Sequence, residues 1–389
     1  MMKILQMIDT FYPTADGAIS VAKNYAEKLN EIASCDLATA IPAEWQTYKE
    51  NQKFKVLRCA AMPAPENYRN ALPAFDFDFR QQIENGGYDI LHSHSPFNMG
   101  KYALTVGKKT NVPVVVTLHT KYYEDFFRVT KSKMLSDFMI DFIRKTYDRA
   151  DSVWTVSYAS RQTLRDYGYR GEIEVVRNGT DFVYPDDPES LIAEINRRHG
   201  LAGRKNLFFF VGRMAMYKNL KLLADALKIV KDRGKEFTML FVGGGFDLEE
   251  FEKYVADKGL NDVCIFTGNI TDRKLLQGYY LRGDLMLFPS VFDMASIAKV
   301  EASAHKKASL VIKDSCSAEE VIDGDNGFLC EENAESLADR ICGLCGEEDK
   351  LKLAGERAHA TLYRTWTDVA KEVYAKYGEI IARHKKLTL

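Results

Sequence analysis

Two carboxylates that could contact one ligand stand eight residues apart in this chain. Asp293 precedes a predicted helix start and Glu301 lies within that helix, and an apolar strand, residues 284–288, leads into the segment. Free backbone N–H groups at a helix start bind anions, so the segment predicts an anion site with an acid on either side. Eight helical residues span roughly 12 Å, which matches the length of a nucleotide-sugar from hexose to ribose. The spacing therefore suggests one acid for sugar hydroxyls, one for ribose hydroxyls and a pyrophosphate between them.

Basic residues that could neutralise a diphosphate follow an earlier strand. Gly212 and Arg213 end the predicted strand 206–211, and Lys218 follows shortly afterwards at a helix start. Guanidinium and ammonium groups at a strand end suit phosphate binding. Most lysines and arginines are simply solvated, however, so the pattern alone leaves both interpretations open.

Two glycine-containing turns could let a ligand approach the backbone. Gly243, Gly244 and Gly245 follow the predicted strand 238–242, and a plain tight turn is the alternative interpretation. The G-x-G-x-x-G fingerprint and the P-loop are both missing, which argues against a nicotinamide oxidoreductase. Gly17, between the first strand and the first helix, predicts a loop that reaches into a cleft between domains. An ordinary helix-start loop is the alternative there.

Histidines end two predicted strands. His92 and His94 form an H-x-H pattern, which can bind zinc, but no acid–histidine set with metal-ligand spacing follows. We therefore predict no metal site. His119 ends the next strand and precedes a run of polar and aromatic residues, so we predict that it contacts the substrate. A hydrogen-bonded core histidine is the alternative interpretation of His119.

Residues 101–149 combine positive charge with apolar side chains. They hold ten Lys and Arg against five Asp and Glu. Within them an apolar stripe recurs at helical spacing, and its members are Met134, Leu135, Phe138, Met139, Phe142 and Ile143. Such a stripe is usually the core face of a helix, which is the interpretation we favour. The alternative is that residues 121–149 lie on an anionic membrane surface.

Composition limits the class of protein. A chain of 389 residues is expected to form two domains. The net charge of −2 provides no basic field, so we predict no nucleic-acid partner. The chain has no run of about 18 apolar residues, and its first apolar run is too short for a signal peptide. The seven scattered cysteines suggest reduced thiols, so we expect a cytoplasmic protein.

Alternating strands and helices must position these residues. Short apolar runs alternate with amphipathic ones from residue 3 onward, and the alternation restarts after about residue 186. The pattern predicts an α/β protein of two Rossmann-like domains, each with a parallel sheet. A polar, proline-bounded linker, residues 181–190, places the domains at 1–183 and 184–366. Ligands bind at strand carboxyl ends in such sheets, so we expect the site in the cleft between the domains.

Several of these motifs recur together in one known family. The segment from Pro289 to Ala302 reads P-S-V-F-D-M-A-S, followed after four residues by E-A. Further pieces occur in order, and they are Gly212-Arg213 with Lys218-Asn219, the Gly243–Gly245 turn, residues 266–270, Tyr280 and residues 319–328. Over nearly its whole length the chain resembles the retaining glycosyltransferases of family 4, which have the GT-B fold and the signature P-S-x-x-E-x-F-G-x-x-x-x-E-A. Trp366 matches a tryptophan of that family, so helix 367–389 is expected to pack back on the N-terminal domain.

The resemblance implies transfer of a hexose, with retention of anomeric configuration, from a nucleotide-diphospho-sugar to an acceptor hydroxyl. UDP is the family's default nucleotide, and neither a metal nor another cofactor is implied. For the sugar and diphosphate, the implied contacts are Arg213 and Lys218 to the diphosphate, Asp293 to sugar hydroxyls, His119 to the O6 region of the sugar, and Gly17 beside the sugar. The main chain of Ala295, Ser296 and Ile297 is implied to contact the sugar or a phosphate. For the nucleoside, the resemblance implies Glu301 to the ribose, the main chain of Asn269 and Ile270 to the base, and Gly212, Gly243 and Gly244 in the turns beside the nucleotide.

The acceptor is expected on the N-terminal domain. Residues 119–126 and the basic helix after them are similar to those of diacylglycerol glucosyltransferases, which implies a lipid acceptor at the cytoplasmic face of the membrane. A cell-envelope glycan precursor is the alternative acceptor. Departures from the family pattern concern the sugar pocket, where Asp293 replaces Glu and Ala295-Ser296 replaces Phe-Gly. These departures leave open which sugar is transferred, and also whether the chain is a catalytically silent sugar-nucleotide-binding or scaffolding protein.

Overall fold

The computed structural model describes residues 1–14, 16–64 and 68–388. The chain divides into two compact units. Unit 1 comprises the chain up to Asn178 together with the C-terminal stretch from Trp366, and unit 2 comprises Gly179–Thr365. The first unit thus ends at Asn178 rather than at residue 183, and Trp366 opens the returning segment.

Strands and helices alternate along most of the described chain. The strands are β1 (Lys3–Met7), β2 (Ser34–Ala40), β3 (Val56–Cys59), β4 (Ala61–Pro63), β5 (Arg69–Ala71), β6 (Ile90–Ser93), β7 (Val114–Leu118), β8 (Ser152–Thr155), β9 (Glu174–Val175), β10 (Leu207–Val211), β11 (Thr238–Val242), β12 (Cys264–Phe266), β13 (Leu285–Phe288), β14 (Ser309–Ile312) and β15 (Phe328–Cys330). The helices are α1 (Gly17–Leu29), α2 (Phe77–Glu84), α3 (Asn98–Thr110), α4 (Tyr122–Thr130), α5 (Lys133–Tyr147), α6 (Ser160–Asp166), α7 (Pro188–His199), α8 (Leu220–Asp232), α9 (Leu248–Asp257), α10 (Arg273–Arg282), α11 (Ile297–Ala304), α12 (Ala334–Leu344), α13 (Glu348–Leu362) and α14 (Trp366–Thr388).

Unit 1 is built on a seven-stranded parallel sheet in the order β3-β2-β1-β6-β7-β8-β9. In its centre Ile4 of β1 pairs with Cys35 of β2 on one side and with Ile90 of β6 on the other. Strands β6, β7 and β8 are buried throughout, as expected of a parallel sheet covered by helices on both faces. The predicted Rossmann-like sheet of the N-terminal half is confirmed.

The C-terminal helix α14 belongs to unit 1. Its first residue, Trp366, lies edge-on to Tyr25 of α1, with ring centroids 6.1 Å apart. Further along the helix, Tyr377 stacks on Trp154 of β8 at 5.6 Å. Tyr377 and Trp154 are fully buried, so α14 completes the core of unit 1.

Unit 2 is built on a six-stranded parallel sheet in the order β12-β11-β10-β13-β14-β15. Phe210 of β10 stacks on Phe288 of β13 at 5.7 Å, and Phe241 of β11 stacks on Phe266 of β12 at 4.9 Å. Strands β11, β10 and β13 are neighbours, so the loops that follow them emerge side by side at one edge of the sheet. The second predicted Rossmann-like sheet is therefore also confirmed.

A short hairpin lies outside the predicted elements of unit 1. Strands β4 and β5 run antiparallel, with Ala61 opposite Ala71. Each strand has only three residues, which is too short for an alternating pattern to stand out in the sequence.

Helix α5 carries the apolar stripe that the sequence assigns to the core, and most of that stripe is exposed. Met134 is 81% exposed and Phe138 66%, and Leu135 and Phe142 are 45% exposed each. Of the stripe, only Ile143 is fully buried. The core-face interpretation is wrong for the four exposed residues because α5 packs with a neighbouring face.

Candidate functional site

An ion pair between a buried lysine and a half-buried aspartate connects the loops that follow β10 and β13. Lys218 Nζ donates to both carboxylate oxygens of Asp293, at 2.7 and 2.8 Å, although Lys218 is only 8% exposed. Ser290 Oγ donates to the same carboxylate at 2.5 Å. A buried ammonium needs such a partner, because an unpaired buried charge costs on the order of several kcal/mol. The structure thus brings two of the predicted site residues, Lys218 and Asp293, into direct contact.

The backbone around Lys218 sets the position of its ammonium. Residues Met216–Lys218 form a 3-10 turn, and Asn219 adopts a left-handed conformation with φ 59° before α8 begins. Asparagine tolerates this conformation better than most residues. Asn219 Nδ2 also donates to Pro289 O at 3.2 Å, which ties the turn to the segment after β13. Asn219 is therefore a structural residue that holds Lys218 against the loop of Asp293.

Glu301, the second predicted acid, is buried within α11 and accepts from two donors. Tyr280 Oη donates to Oε2 at 2.7 Å, and Arg273 Nη1 donates to Oε1 at 3.1 Å. Burial raises the pKa of Glu301, and the Arg273 guanidinium opposes that shift. Each carboxylate oxygen keeps a further lone pair, so Glu301 can also accept from the hydroxyls of a ligand.

Arg273 is a site residue that the sequence analysis missed. Its Nη2 donates to Asp181 at 2.8 Å, and its guanidinium lies 3.7 Å from the ring centroid of Phe182. Its two acidic partners are 28 and 92 residues away in the chain. No local pattern marks such a residue, since an arginine at the start of a predicted helix is ordinarily solvated.

Ser296 caps the helix that carries Glu301. Its Oγ accepts from Lys299 N at 3.2 Å, and α11 begins at the next residue, Ile297. The backbone from Ala295 to Ile297 therefore lies at a helix start, on the segment that also carries Asp293. Helix-start N–H groups favour an anion, so the predicted arrangement of acid, helix start and acid is present within unit 2.

The predicted glycine turns of unit 2 pack against one another. Gly243 has φ +136°, and a Cβ there would lie 2.1 Å from Gly212 O, so only glycine fits. Gly243 N donates to Gly268 O at 3.1 Å. A Cβ on Gly244 would lie 3.3 Å from Asn269 Cβ. The close approach that these glycines permit is between neighbouring loops, and their contact with a nucleotide stays a prediction.

Arg213, Ile270 and Gly17 complete the predicted donor contacts. Arg213 follows β10 and is half-buried, and Ile270 packs its side chain against the apolar core of unit 2. Gly17 belongs to unit 1 and is the first residue of α1, with open space around its Cβ position. Asp16 caps this helix by accepting from Ile19 N at 2.7 Å, so Gly17 lies at a helix start, as in the alternative interpretation, and its position beside the sugar stays a prediction.

Unit 1 holds a set of buried polar side chains that we call the histidine network. Its members are His92, His94, His119, Gln6, Thr117 and Tyr377. His119 Nε2 lies 2.9 Å from His94 Nδ1, and His94 Nε2 lies 2.7 Å from Gln6 Oε1. Burial lowers the pKa of His94 well below its usual value and that of His119 to about 3. His119, the predicted substrate contact, is half-buried and forms one end of the network.

The other end of the network reaches helix α14. Tyr377 Oη accepts from Gln6 Nε2 at 3.1 Å and lies 2.5 Å from His92 Nδ1, while His92 Nε2 lies 2.6 Å from Thr117 Oγ1. Both nitrogens of His92 thus have protein partners, as do both nitrogens of His94. In the described ranges of the chain, no group of three or more His, Cys, Asp or Glu is placed to hold a metal ion. The H-x-H pattern is accounted for by hydrogen bonding within unit 1.

Comparisons with known proteins cover both halves of the chain. Residues 12–183 match the family model described as Glycosyltransferase Family 4, and residues 192–361 match the model described as Glycosyl transferases group 1. The alpha-monoglucosyldiacylglycerol synthase of Acholeplasma laidlawii is 24% identical, with 98% of this chain and 96% of that protein aligned. The synthase of the same name from Streptococcus pneumoniae is 20% identical over 78% of this chain and 69% of its own length.

A solved structure shows the same fold. The crystal structure of Anabaena HepE in complex with UDP matches with a TM-score of 0.78 at 19% identity, covering 97% of this chain and 100% of that one. At this level of identity the likeness concerns the fold, and it confirms the predicted fold class for this chain.

Proposed function

The chain belongs to the glycosyltransferases of the GT-B fold, and on that premise we propose that it is a retaining hexosyltransferase. It takes the hexose from a nucleotide-diphospho-sugar, with UDP as the nucleotide, and transfers it to an acceptor hydroxyl. The observation that carries the proposal is the constellation of Lys218, Asp293 and Glu301 around the start of α11, at the carboxyl edge of the unit 2 sheet. Relatives and a structural neighbour whose names and title refer to glucosyl lipid synthesis and to UDP support it.

Electrostatic stabilisation of the leaving diphosphate is the proposed source of catalysis. Arg213, Lys218 and the helix start at Ile297 supply positive potential where negative charge develops, so the proposal involves no metal or other cofactor. Lys218 Nζ pairs with the Asp293 carboxylate at 2.7 Å. When the donor binds, Asp293 accepts from sugar hydroxyls, while the ammonium, which has three N–H donors, also donates to a phosphate oxygen.

Glu301 is the proposed ribose ligand. Arg273 and Tyr280 hold its carboxylate in one position, so the remaining lone pairs point in fixed directions before the nucleotide arrives. Holding a group in place before binding reduces the entropy lost on binding. The base is proposed to meet the main chain of Asn269 and Ile270, because the Ile270 side chain is packed into the core.

Retention of configuration follows from front-face attack on the anomeric carbon. In the proposed step the bond from that carbon to the diphosphate oxygen breaks, and the acceptor oxygen forms its bond on the same face. The acceptor proton passes to the departing phosphate, because the Asp293 carboxylate is already engaged by Lys218 and Ser290. Proton NMR of the first product formed tests this step, and an inverted anomeric signal would contradict it.

A membrane lipid is the proposed acceptor, bound through unit 1. Helices α4 and α5 expose an apolar surface formed by Phe127, Val129, Met134, Leu135, Phe138 and Phe142, and we call it the α4–α5 surface. A set of large exposed apolar side chains is unusual on a protein that stays in water and suits the headgroup boundary of a bilayer. Both alpha-monoglucosyldiacylglycerol synthases are named for a lipid product, which favours this acceptor over a glycan precursor.

Charge contributes less to this membrane proposal than the sequence suggests. Lys133 pairs with Asp137 at 2.9 Å and Lys145 with Asp141 at 2.9 Å. These pairs neutralise part of the positive charge of residues 121–149, so apolar insertion is the main proposed source of binding. None of the helices in the described part of the chain is long and apolar enough to cross a membrane. We propose a cytoplasmic protein that associates peripherally with the inner face of the membrane.

A thermal-shift screen of nucleotide-sugars against the full chain tests the donor part of the proposal. Stabilisation by a ligand at a hundredfold excess over Kd is about 2.7 kcal/mol, so the true donor should raise Tm more than its relatives. Slow hydrolysis or transfer of that donor would exclude the catalytically silent alternative. If no nucleotide-sugar and no free UDP changed Tm, the proposed function would be wrong.

A further inference from the structure

The histidine network has a proton order that its contacts allow us to derive. Gln6 Oε1 is a carbonyl oxygen and can only accept, so His94 Nε2, 2.7 Å away, must carry its proton. A neutral imidazole has one N–H, which leaves His94 Nδ1 bare. His119 Nε2, 2.9 Å from that bare nitrogen, must therefore be the donor. By the same count, His119 Nδ1 carries no proton and can only accept.

The neutrality of both rings is supported by their surroundings. His94 is 1% exposed, and its ring stacks between those of His92 and His119, at 4.4 and 5.1 Å. A positive charge on His94 would have no carboxylate partner, since both of its hydrogen-bond partners, Gln6 and His119, are neutral. Burial disfavours the charged form of an imidazole, and it therefore lowers the pKa of both His94 and His119.

The orientation of the Gln6 amide decides the direction of the whole order. With the amide reversed, every donor from Gln6 to His119 would become an acceptor. In the orientation described, Gln6 Nε2 donates to Tyr377 Oη at 3.1 Å and Gln6 Oε1 faces His94 Nε2 at 2.7 Å.

We propose that Gln6 and His94 are positioning residues that fix His119 as a hydrogen-bond acceptor, with Nε2 protonated and Nδ1 bare. This inference rests on the proposed function and on the contact between His119 and the sugar that the family resemblance implies. His119 then accepts from a sugar hydroxyl through Nδ1 and takes no part in proton transfer. The site discriminates against a sugar that has no hydroxyl to donate there, since Nδ1 would be left unpaired.

The proton order can be observed directly by NMR of the full chain labelled with ¹⁵N-histidine. The chain has seven histidines, and the variants His119→Asn and His94→Asn assign the two ring systems by loss of their signals. We expect both rings to be neutral at pH 7, each protonated at Nε2 and bare at Nδ1. A protonated Nδ1 on His119 would overturn the proposal.

Two variants of Gln6 separate positioning from structural support. Gln6→Glu keeps an acceptor for His94 Nε2 and should preserve the tautomer of His119. Gln6→Met removes that acceptor at similar size, so both tautomers of His94 and His119 should appear, and kcat/KM should fall roughly tenfold, the worth of one hydrogen bond. A single unchanged His119 tautomer in Gln6→Met would overturn the role of Gln6. If Gln6→Met fails to fold, the wild-type tautomer and Gln6→Glu still decide the question.

Addition of the nucleotide-sugar found in the thermal-shift screen distinguishes this proposal from the proposed function. A hydrogen bond from the sugar should shift the His119 Nδ1 resonance and leave Nε2 little changed, and UDP alone should shift neither. If the tautomers are as expected but the nucleotide-sugar shifts no His119 signal, the sugar contact that the resemblance implies for His119 is wrong, while the positioning order and the proposed function stand.

Discussion

Unit 1 and unit 2 hold their buried polar side chains in different ways. In unit 1, His92, His94 and His119 are neutral because burial lowers their pKa values. They are joined by directional hydrogen bonds that end at Tyr377 on α14. Such a network orients one group but offers no charge to a ligand.

Unit 2 relies on charge instead. The buried Lys218 pairs with the half-buried Asp293, and the buried Glu301 pairs with the more exposed Arg273. A ligand with a phosphate or with hydroxyls can share one partner of each pair, since ammonium, guanidinium and carboxylate all keep unused donors or acceptors. The difference teaches that the two units are suited to different tasks: unit 1 to orienting a neutral group, and unit 2 to binding an anion. The predictions that follow test each side of this comparison.

Acid should unfold unit 1 through its histidines, and this is the largest effect we expect. In the folded chain His92, His94 and His119 bind a proton only well below pH 6.5, whereas in the unfolded chain they bind it near pH 6.5. The unfolded chain therefore takes up more protons, and stability is lost as pH falls below 6.5. The loss is on the order of 3 kcal/mol at pH 4 for each histidine that stays neutral.

Tryptophan fluorescence can follow this transition, because Trp45, Trp154 and Trp366 all belong to unit 1. Denaturant unfolding at pH 7 and pH 4 should give a much lower midpoint at pH 4.

Asp9 of the same unit acts in the opposite sense, since burial raises its pKa to about 6 and its contribution to stability falls as pH rises from 4 to 6. Asp9→Asn should therefore steepen the loss in acid. Equal midpoints at both pH values would show that the histidines are not held neutral.

Removal of the Lys218 ammonium should break the charged arrangement of unit 2. Lys218→Ala takes away a donor to the diphosphate and leaves Asp293 with Ser290 alone, so transfer should fall about 10²–10³-fold. Lys218→Arg should recover part of that loss because it restores the charge but not the geometry. Initial rates with the identified donor measure both.

Lys221→Ala is the matched control for Lys218. Lys221 lies on the next helix, is 48% exposed and pairs with Glu250 on the surface, so its loss should change the rate less than twofold, as expected for a surface ion pair. Comparable losses in Lys221→Ala and Lys218→Ala would mean that the pair of Lys218 and Asp293 has no special role.

The sequence predicts the parallel sheets and most of the site segments because each depends on local patterns. Phe208–Phe210 in β10 and the acid–helix-start–acid arrangement from Asp293 to Glu301 can be read from neighbouring residues. The contact of Lys218 with Asp293 bridges 75 residues, and no pattern in the chain reveals it. The same holds for Arg273 and for Gln6, whose roles arise only when distant strands and helices are brought together.

The exposed stripe of α5 shows a second limit of sequence patterns. Met134 and Phe138 recur at helical spacing as core residues do, but the buried face of α5 includes Ser136, Ile140 and Ile143 instead. Spacing identifies an apolar face but cannot tell whether protein or lipid covers it.

Membrane binding should depend on the α4–α5 surface of unit 1 more than on charge. Each of the changes Met134→Ser and Phe138→Ser removes a side chain whose full burial is worth about 1.5–3 kcal/mol, so binding to vesicles should weaken roughly tenfold or more. Lys131→Glu should weaken it less, and that effect should disappear in high salt. Vesicle sedimentation with and without anionic lipid measures all three variants.

Leu353→Ser is the control for the membrane variants. Leu353 is 61% exposed and belongs to unit 2, so its change should leave vesicle binding unaltered. If Phe138→Ser binds vesicles as well as Leu353→Ser does, the α4–α5 surface is not the membrane contact.

Arg273 offers the finest test of the charged arrangement, because it controls the ionisation of Glu301. Burial raises the pKa of Glu301 and Arg273 lowers it, so Arg273→Met should raise that pKa further. The variant should then bind UDP a few-fold more weakly, and the deficit should be larger at pH 6 than at pH 8, because a protonated Glu301 accepts fewer hydrogen bonds from ribose. Isothermal titration of UDP at both pH values measures the difference.

Lys274→Met, one residue along α10, removes an exposed charge without touching Glu301, and its binding deficit should show no dependence on pH. A deficit in Arg273→Met that is the same at pH 6 and pH 8 would mean that Arg273 acts by position alone, and the contrast between a neutral unit 1 and a charged unit 2 would then rest on Lys218.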